Sequence, residues 1–241
     1  YAGGGLAKYL PITTQFPDYA DLADVARELE AKYAYNLEKG KEVITAEMEG
    51  MGATVNAEGK FEIDGAPVTV IFLIRSDSDG TRQPLGDYFA AQLEAVGFTV
   101  DRQYGKSSEL GPKWQGTAAD GGWHIYTGAW SATIIDRDQR NMLQEMYLPS
   151  SAQGLDLMVA NQADPEFLEL GDKLANAEYN NLEERRAMMV RGLELALEDS
   201  LQLWLIDGKN YSPYGTNVKL TYDLAAGVEG ADCGVFGGNY P

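Results

Sequence analysis

Cysteine and histidine are nearly missing from this chain: Cys233 and His124 are the only ones among 241 residues. One thiol excludes an intramolecular disulfide, and one thiol with one imidazole excludes the clustered sets that hold zinc. Cysteine poverty suits a cytoplasmic and an extracytoplasmic protein alike. Basic residues are scarce too, 19 Lys and Arg against 37 Asp and Glu, which leaves a formal net charge of −18. Nucleic acid is therefore not an expected partner, because neutralising phosphates takes clustered Lys and Arg. The acidic excess reads as a solubility device. No apolar run is long enough to span a membrane, and no Gly-x-Ser-x-Gly elbow supplies a hydrolase nucleophile. The chain starts at Tyr1, without methionine or a signal-like segment, and reads as a piece of something longer.

The composition that remains, 44% hydrophobic and 10% aromatic, is that of an ordinary folded chain able to bury a core. Its most informative stretch runs from Val68 to Trp130. Val68–Ile74 (VTVIFLI) is a short, β-branched apolar run, as suits a parallel strand covered on both faces. After a polar turn, Leu85, Phe89, Leu93 and Val96 form a helical stripe that Gly97 ends. Phe98, Val100, Arg102 and Tyr104 then alternate as a second strand. Strand, helix and strand in this order make a βαβ unit, whose ligands gather at the carboxyl ends of the strands. That places chemistry near Arg75–Asp79 and near Trp130.

Around this unit the punctuation predicts the remaining elements. Residues 1–17 read as an entry loop, and Tyr19–Tyr33 as a helix with Leu22, Val25, Ala26 and Leu29 on one face. Asn36 is placed to cap a second helix carrying Val43, Ile44 and Met48. Glu58-Gly59 and Asp64-Gly65 bracket a small hairpin strand, KFEI. Lys106–Gln115 reads as a loose helix, Gly116–Gly122 as a loop and Trp123–Ala129 as a strand. Asp136 is a candidate helix start for Met142, Leu143, Met146 and Tyr147. Asp164-Pro165-Glu166 starts another helix, with Pro at its first position, and Asn181–Glu184 opens a long one through Asp199 with a capping-box-like pattern. Leu201–Ile206 is a further strand candidate, and the Gly- and Tyr-rich remainder has little periodicity.

Several of these segments are familiar as a series. YNLEKGK (35–41) resembles a helix start Y-(D/N)-P-E-K-A-K, and DGAPVTV (64–70) resembles a strand entry D-G-K-P-V-T-L. LEAVGFTV (93–100) is similar to L-K-x-I-G-I-x-V, and Trp123–Trp130 resembles the strand F-D-x-x-x-x-G-W. LEERR (182–186) and LEDSL (197–201) resemble D-x-x-E-R and I-x-x-D-x-P. In this order and spacing the chain resembles the C-terminal lobe of family 5 extracellular solute-binding proteins, the oligopeptide- and dipeptide-type receptors of ABC importers. The resemblance implies an α/β lobe of the type II periplasmic-binding-protein-like fold, a mixed, mostly parallel sheet flanked by helices. It implies an entry loop over 1–17, the solute-binding lobe over 18–206, and a segment over 207–241 returning toward a missing N-terminal lobe.

The resemblance also implies site residues. Trp130 stands where a strand-end aromatic walls the ligand, and main-chain groups of Ala129 and Ser131 would pair with an extended ligand. The other reading of Trp130 is a core aromatic. Peptide-binding members often carry an Asp three residues after this Trp to hold the peptide's amine. Here Thr133 occupies that place and supplies no charge, while Asp136 and Asp138 nearby read equally well as caps or surface carboxylates. Some members bind oligosaccharides, for which Trp114, Trp123 and Trp130 would offer stacking faces; core and rim is the other reading of these rings. Arg75 is placed to hold an anionic group, whereas Asp77, Ser78 or Asp79 suits a helix N-cap. Asp77-x-Asp79-Gly80 hints at calcium, but the closing position of a twelve-residue loop is Tyr88, not a glutamate. His124, within a strand pattern, reads as structural.

The implied function is non-catalytic capture of a solute outside the cytoplasmic membrane, in the periplasm or lipid-anchored at its outer face, for delivery to an ABC permease. A small peptide is the first ligand class and an oligosaccharide the second; no cofactor and no metal is called for. Two alternatives of a different class remain, a hydrolase or a non-transport sensor module on the same scaffold.

Overall fold

The chain opens with a strand where a loop was expected. The computed structural model describes residues 4–14, 16–77, 80–130, 139–208 and 215–217. Strand β1 (Gly5–Ala7) is followed by α1 (Pro17–Asp21), α2 (Ala23–Lys32) and α3 (Leu37–Gly50). Pro17 starts α1 as a first-turn proline should. The single helix expected over Tyr19–Tyr33 is broken at Leu22, whose ψ of 15° leaves the helical well. Asn36 caps α3 as expected, its side chain accepting from the Lys39 N–H. Next come β2 (Thr54–Val55), β3 (Phe61–Ile63), β4 (Ala66–Pro67), β5 (Thr69–Arg75), α4 (Arg82–Val96), β6 (Thr99–Gly105), α5 (Ser107–Trp114) and β7 (Ile125–Tyr126). The last elements are α6 (Met142–Tyr147), α7 (Asp156–Ala160), α8 (Pro165–Ala175), α9 (Leu182–Asp199) and β8 (Ile206–Gly208). The last strand is thus shifted from the expected Leu201–Ile206, and the helix start expected at Asp136 lies outside the described residues.

The architecture is mixed α/β with a parallel sheet, as the sequence pattern predicts. Among the described residues the strands form three sheets: β1 with β8 antiparallel, the hairpin set β2-β3-β4, and a parallel sheet in the order β6-β5-β7. The chain divides into two compact units. A helical unit takes the described residues of 1–33, 130–154 and 161–241, and a sheet unit takes 34–129 with 155–160.

In the sheet unit, β5 lies between β6 and β7 and its apolar run supplies the buried Phe72, Leu73 and Ile74. Helix α4 lies close on this strand because Gly86 faces it; a Cβ there would meet the Ile74 side chain at 2.7 Å. The buried face of α4 therefore falls on Gly86, Ala90 and Val96 rather than on the larger Leu85 and Phe89 of the expected stripe. Gly97 ends the helix at φ 132°, backbone that a side chain would strain. A second small cluster, Met48, Ala53, Phe61 and Val96, packs the hairpin beneath α3.

The helical unit has one continuous core, running from Leu10 and Ile12 through Leu22, Leu29, Leu143, Tyr147 and Phe167 to Leu193. Leu10 and Ile12 are fully buried, so the stretch read as an entry loop contributes core. Asp164 caps α8 through the Glu166 N–H, and Asn181 caps α9 through the Glu184 N–H. Glu184 accepts from the Asn180 N–H instead of closing a capping box on Asn181. Two polar clusters sit inside this unit. Asp18 pairs with Arg185 at 2.8 Å while also accepting the Gln139 N–H. Lys8 pairs with Asp207 at 3.0 Å beneath the Trp204 ring, and burial pulls the Lys8 ammonium below its usual range. Burial pushes the Tyr147 phenol up, and its oxygen accepts the Trp204 indole N–H.

Candidate functional site

The carboxyl ends of β5 and β7 in the sheet unit carry the densest set of the expected site residues. Strand β7 is far shorter than the expected Trp123–Ala129, pairing only Ile125 with Phe72 and Tyr126 with Leu73. Beyond Ile125 and Tyr126, side chains continue the ladder where backbone partners run out. On one side the Ile71 N–H donates to His124 Nδ1 at 2.8 Å; on the other, the Arg75 N–H donates to Thr127 Oγ1 at 2.9 Å. Backbone bonds from His124 to the Ile71 carbonyl and from Thr127 to the Leu73 carbonyl complete both ends. Arg82, on the first turn of α4, reaches across to donate to the Thr127 carbonyl. The strand then ends in a tight turn, Gly128 N–H to the Tyr126 carbonyl, and Gly128 and Ala129 lie exposed.

Arg75 sits at this end, and its Nε donates to Asp77 at 2.6 Å. The Asp77 hydrogen bond raises the Arg75 pKa, with a further contribution from the Tyr126 phenol. Asp77 in turn is held below the usual carboxylate range by Arg75 and by the Ser107 N–H at the start of α5. Asp77, one of the three cap candidates, thus accepts at the start of α5; Ser78 and Asp79 lie outside the described residues, and the N-cap position of α4 is Thr81. Trp114, the last residue of α5, stacks on Tyr126 with centroids 5.1 Å apart and planes 14° from parallel. One face of Trp114 is therefore taken by a protein ring. The Trp123 indole N–H is shielded from solvent and has no hydrogen-bond partner among the described residues.

Trp130 belongs to the helical unit and is 36% exposed. Ser131, Thr133, Asp136 and Asp138 lie outside the described residues. Three participants escaped the sequence reading. Tyr126 and Thr127 carried only the alternation of a strand, and Arg82 only the position of a helix start. A groove of about 370 Å³ on the helical unit, lined by Glu166, Glu169, Lys173, Glu178 and Glu184, is a surface network rather than a second site. Lys173 pairs with Glu169, Glu166 with Arg191, and Glu184 accepts from Asn180. Among the described residues no three His, Cys, Asp or Glu side chains gather as metal ligands, and no helix is long and apolar enough to cross a membrane.

No family model and no curated protein matches the chain. Solved structures do. The oligopeptide-binding protein AppA from Bacillus subtilis, in complex with a nonapeptide, superposes with a TM-score of 0.62 at 17% identity, over 85% of this chain and 37% of its own. NikZ from Campylobacter jejuni, in complex with Ni(L-His), gives 0.59 at 13% identity, over 85% of this chain and 37% of its own. The periplasmic binding protein MelB from Agrobacterium fabrum, in complex with stachyose, gives 0.50 at 15%, over 73% of this chain and 26% of its own. The fold is thus one that periplasmic solute-binding proteins contain, the class the sequence resembles. The chain spans under two fifths of the length of each.

Proposed function

We propose that this chain supplies the lobe of an extracytoplasmic solute receptor that captures its ligand at the end of β7 and hands it to an ABC permease. The lobe takes in β1 and the buried Leu10 and Ile12 as well as 18–206. Support comes from the strand end itself: a short, side-chain-pinned β7 running into an exposed Gly128-Ala129, in a fold shared with proteins solved around a peptide, a metal complex and a sugar. Exposed backbone at a strand end pairs with an extended ligand while tolerating many side chains. Capture is by closure of two lobes, the closed form being favoured by contacts from both sides. A small peptide is the first choice. Trp130 would wall it, Ala129 and Ser131 would hold its main chain, and Thr133 would face the place where related receptors carry an amine-binding Asp. Arg75, balanced by Asp77, and Trp114, stacked on Tyr126, would serve as positioning groups at the strand ends.

An oligosaccharide is the second reading, resting on the tryptophans as stacking faces, Trp130 being exposed while one face of Trp114 is covered by Tyr126. Calorimetric titration of the full receptor with a peptide mixture and with stachyose separates the two. Trp130→Ala is expected to weaken binding of the true ligand by about 1–3 kcal/mol. Thr133→Asp should tighten a peptide through its free amine and weaken a sugar, because it buries an unpaired charge. Unchanged affinity in both variants would remove this strand end from the site.

A further inference from the structure

We propose that His124 is an acid-sensitive catch on the strand that leads to the ligand-facing backbone. Its Nδ1 accepts the Ile71 N–H at 2.8 Å, so the ring must be neutral with its proton on Nε2. Its own backbone N–H donates to the Ile71 carbonyl at 2.9 Å, and the residue thus grips both polar groups of Ile71. An imidazolium carries N–H on both nitrogens and accepts nothing. Protonation therefore sets a donor against the Ile71 donor, the ring swings into solvent, and the amino end of β7 keeps only one of its two ties. The opposite end is tied by Thr127 Oγ1, a hydroxyl that does not titrate, so the loosening is confined to the His124 end. Strand β7 meets β5 only through Ile125 and Tyr126 and the flanking backbone bonds of His124 and Thr127, so the His124 side-chain bond is a substantial part of what holds its amino end.

The charged groups on the neighbouring elements are engaged elsewhere or exposed to solvent. Asp101 of β6 stands opposite Ile71 on the far side of β5, and its carboxylate accepts from Gln103. Asp120, on the 3-10 turn before β7, is exposed. Among the described residues no carboxylate pairs with His124. Imidazoles change charge between pH about 5 and 8, a range that a protein outside the cytoplasmic membrane meets. That the strand leads to a ligand-facing backbone rests on the proposed receptor function; the catch itself does not.

The test reads the strand directly in the 241-residue chain, where the single histidine makes its imidazole signals unambiguous. Long-range proton–nitrogen spectra at pH about 8 should show Nδ1 unprotonated and Nε2 protonated. Exchange protection of the Ile71 amide is taken as a ratio to that of Thr99, which donates to Val68 on the β6 side of β5. That ratio should fall about tenfold from pH about 8 to about 5. In His124→Asp, whose carboxylate stays an acceptor throughout this range, the ratio should stay level. A proton on Nδ1 at pH about 8, a level ratio in the unsubstituted chain, or an equal fall in His124→Asp would each overturn the catch. A pH-dependent ratio together with a full receptor that binds neither peptide nor sugar would leave the catch standing and overturn the proposed ligand classes.

Discussion

The two units hold themselves together by different means. The helical unit gathers residues from three stretches of chain into one apolar cluster and buries ion pairs within it. The sheet unit has two small clusters, and its surface side chains carry much of the remaining order: Arg102 bridges to Glu94 at 2.7 Å and Lys60 donates to the Glu94 and Phe98 carbonyls. The difference is instructive, because burial by area is robust and geometrically undemanding, whereas a strand pinned by single side chains responds to its surroundings. A site built to change state belongs in the second kind of structure.

The contrast is strongest where one large side chain is lost from the helical core. Phe167 is fully buried and packs against Tyr147 at a ring separation of 5.5 Å. Phe167→Ala should lower stability to urea unfolding by about 3–5 kcal/mol; a loss below ~1 kcal/mol would mean that this cluster is not the unit's core. Arg185→Ala comes next. It strands Asp18, whose side chain is only 8% exposed, and should cost about 3 kcal/mol by the same measurement. A cost near zero would show water replacing the guanidinium. Glu94→Gln in the sheet unit tests the opposite pole. Arg102 and Glu94 are roughly a third exposed, so the change should cost below ~1 kcal/mol and less still in high salt. A loss as large as that of Arg185→Ala would erase the distinction between the units.

What could be read from the residues alone follows the same division. Signals that act within a few residues came through: the Asn36 cap, Asp164-Pro165, the β-branched run of β5 and the terminating Gly97 all sit where local chemistry places them. Features decided by distant partners did not. Nothing in Gly5–Ala7 marks a strand until Ile206–Gly208 arrives beside it, and the register of that pairing shifts β8 past the apolar Leu201–Leu205. The break at Leu22 follows from packing, since the side chain turns fully into the core that α6, α8 and α9 build. At the site, strand alternation located β7, but its true length depends on His124 and Thr127 standing in for carbonyls, which no periodicity reveals. The roles of Trp130, Ala129, Ser131, Thr133, Trp114 and Arg75 rest on resemblance and await the titrations.

The pairing of β1 with β8 has a consequence for how the molecule is made. Leu6 lies opposite Asp207, and Asp18 meets Arg185 across 167 residues. A ribosome adding about 10 residues per second delivers the second partner roughly 20 s after the first. Residues 34–129 emerge during that interval as a nearly contiguous unit, so the sheet has its strands in hand while Leu10 and Ile12 still lack their cover. For those seconds Leu10 and Ile12 expose apolar side chains that only the later stretches of the helical unit cover.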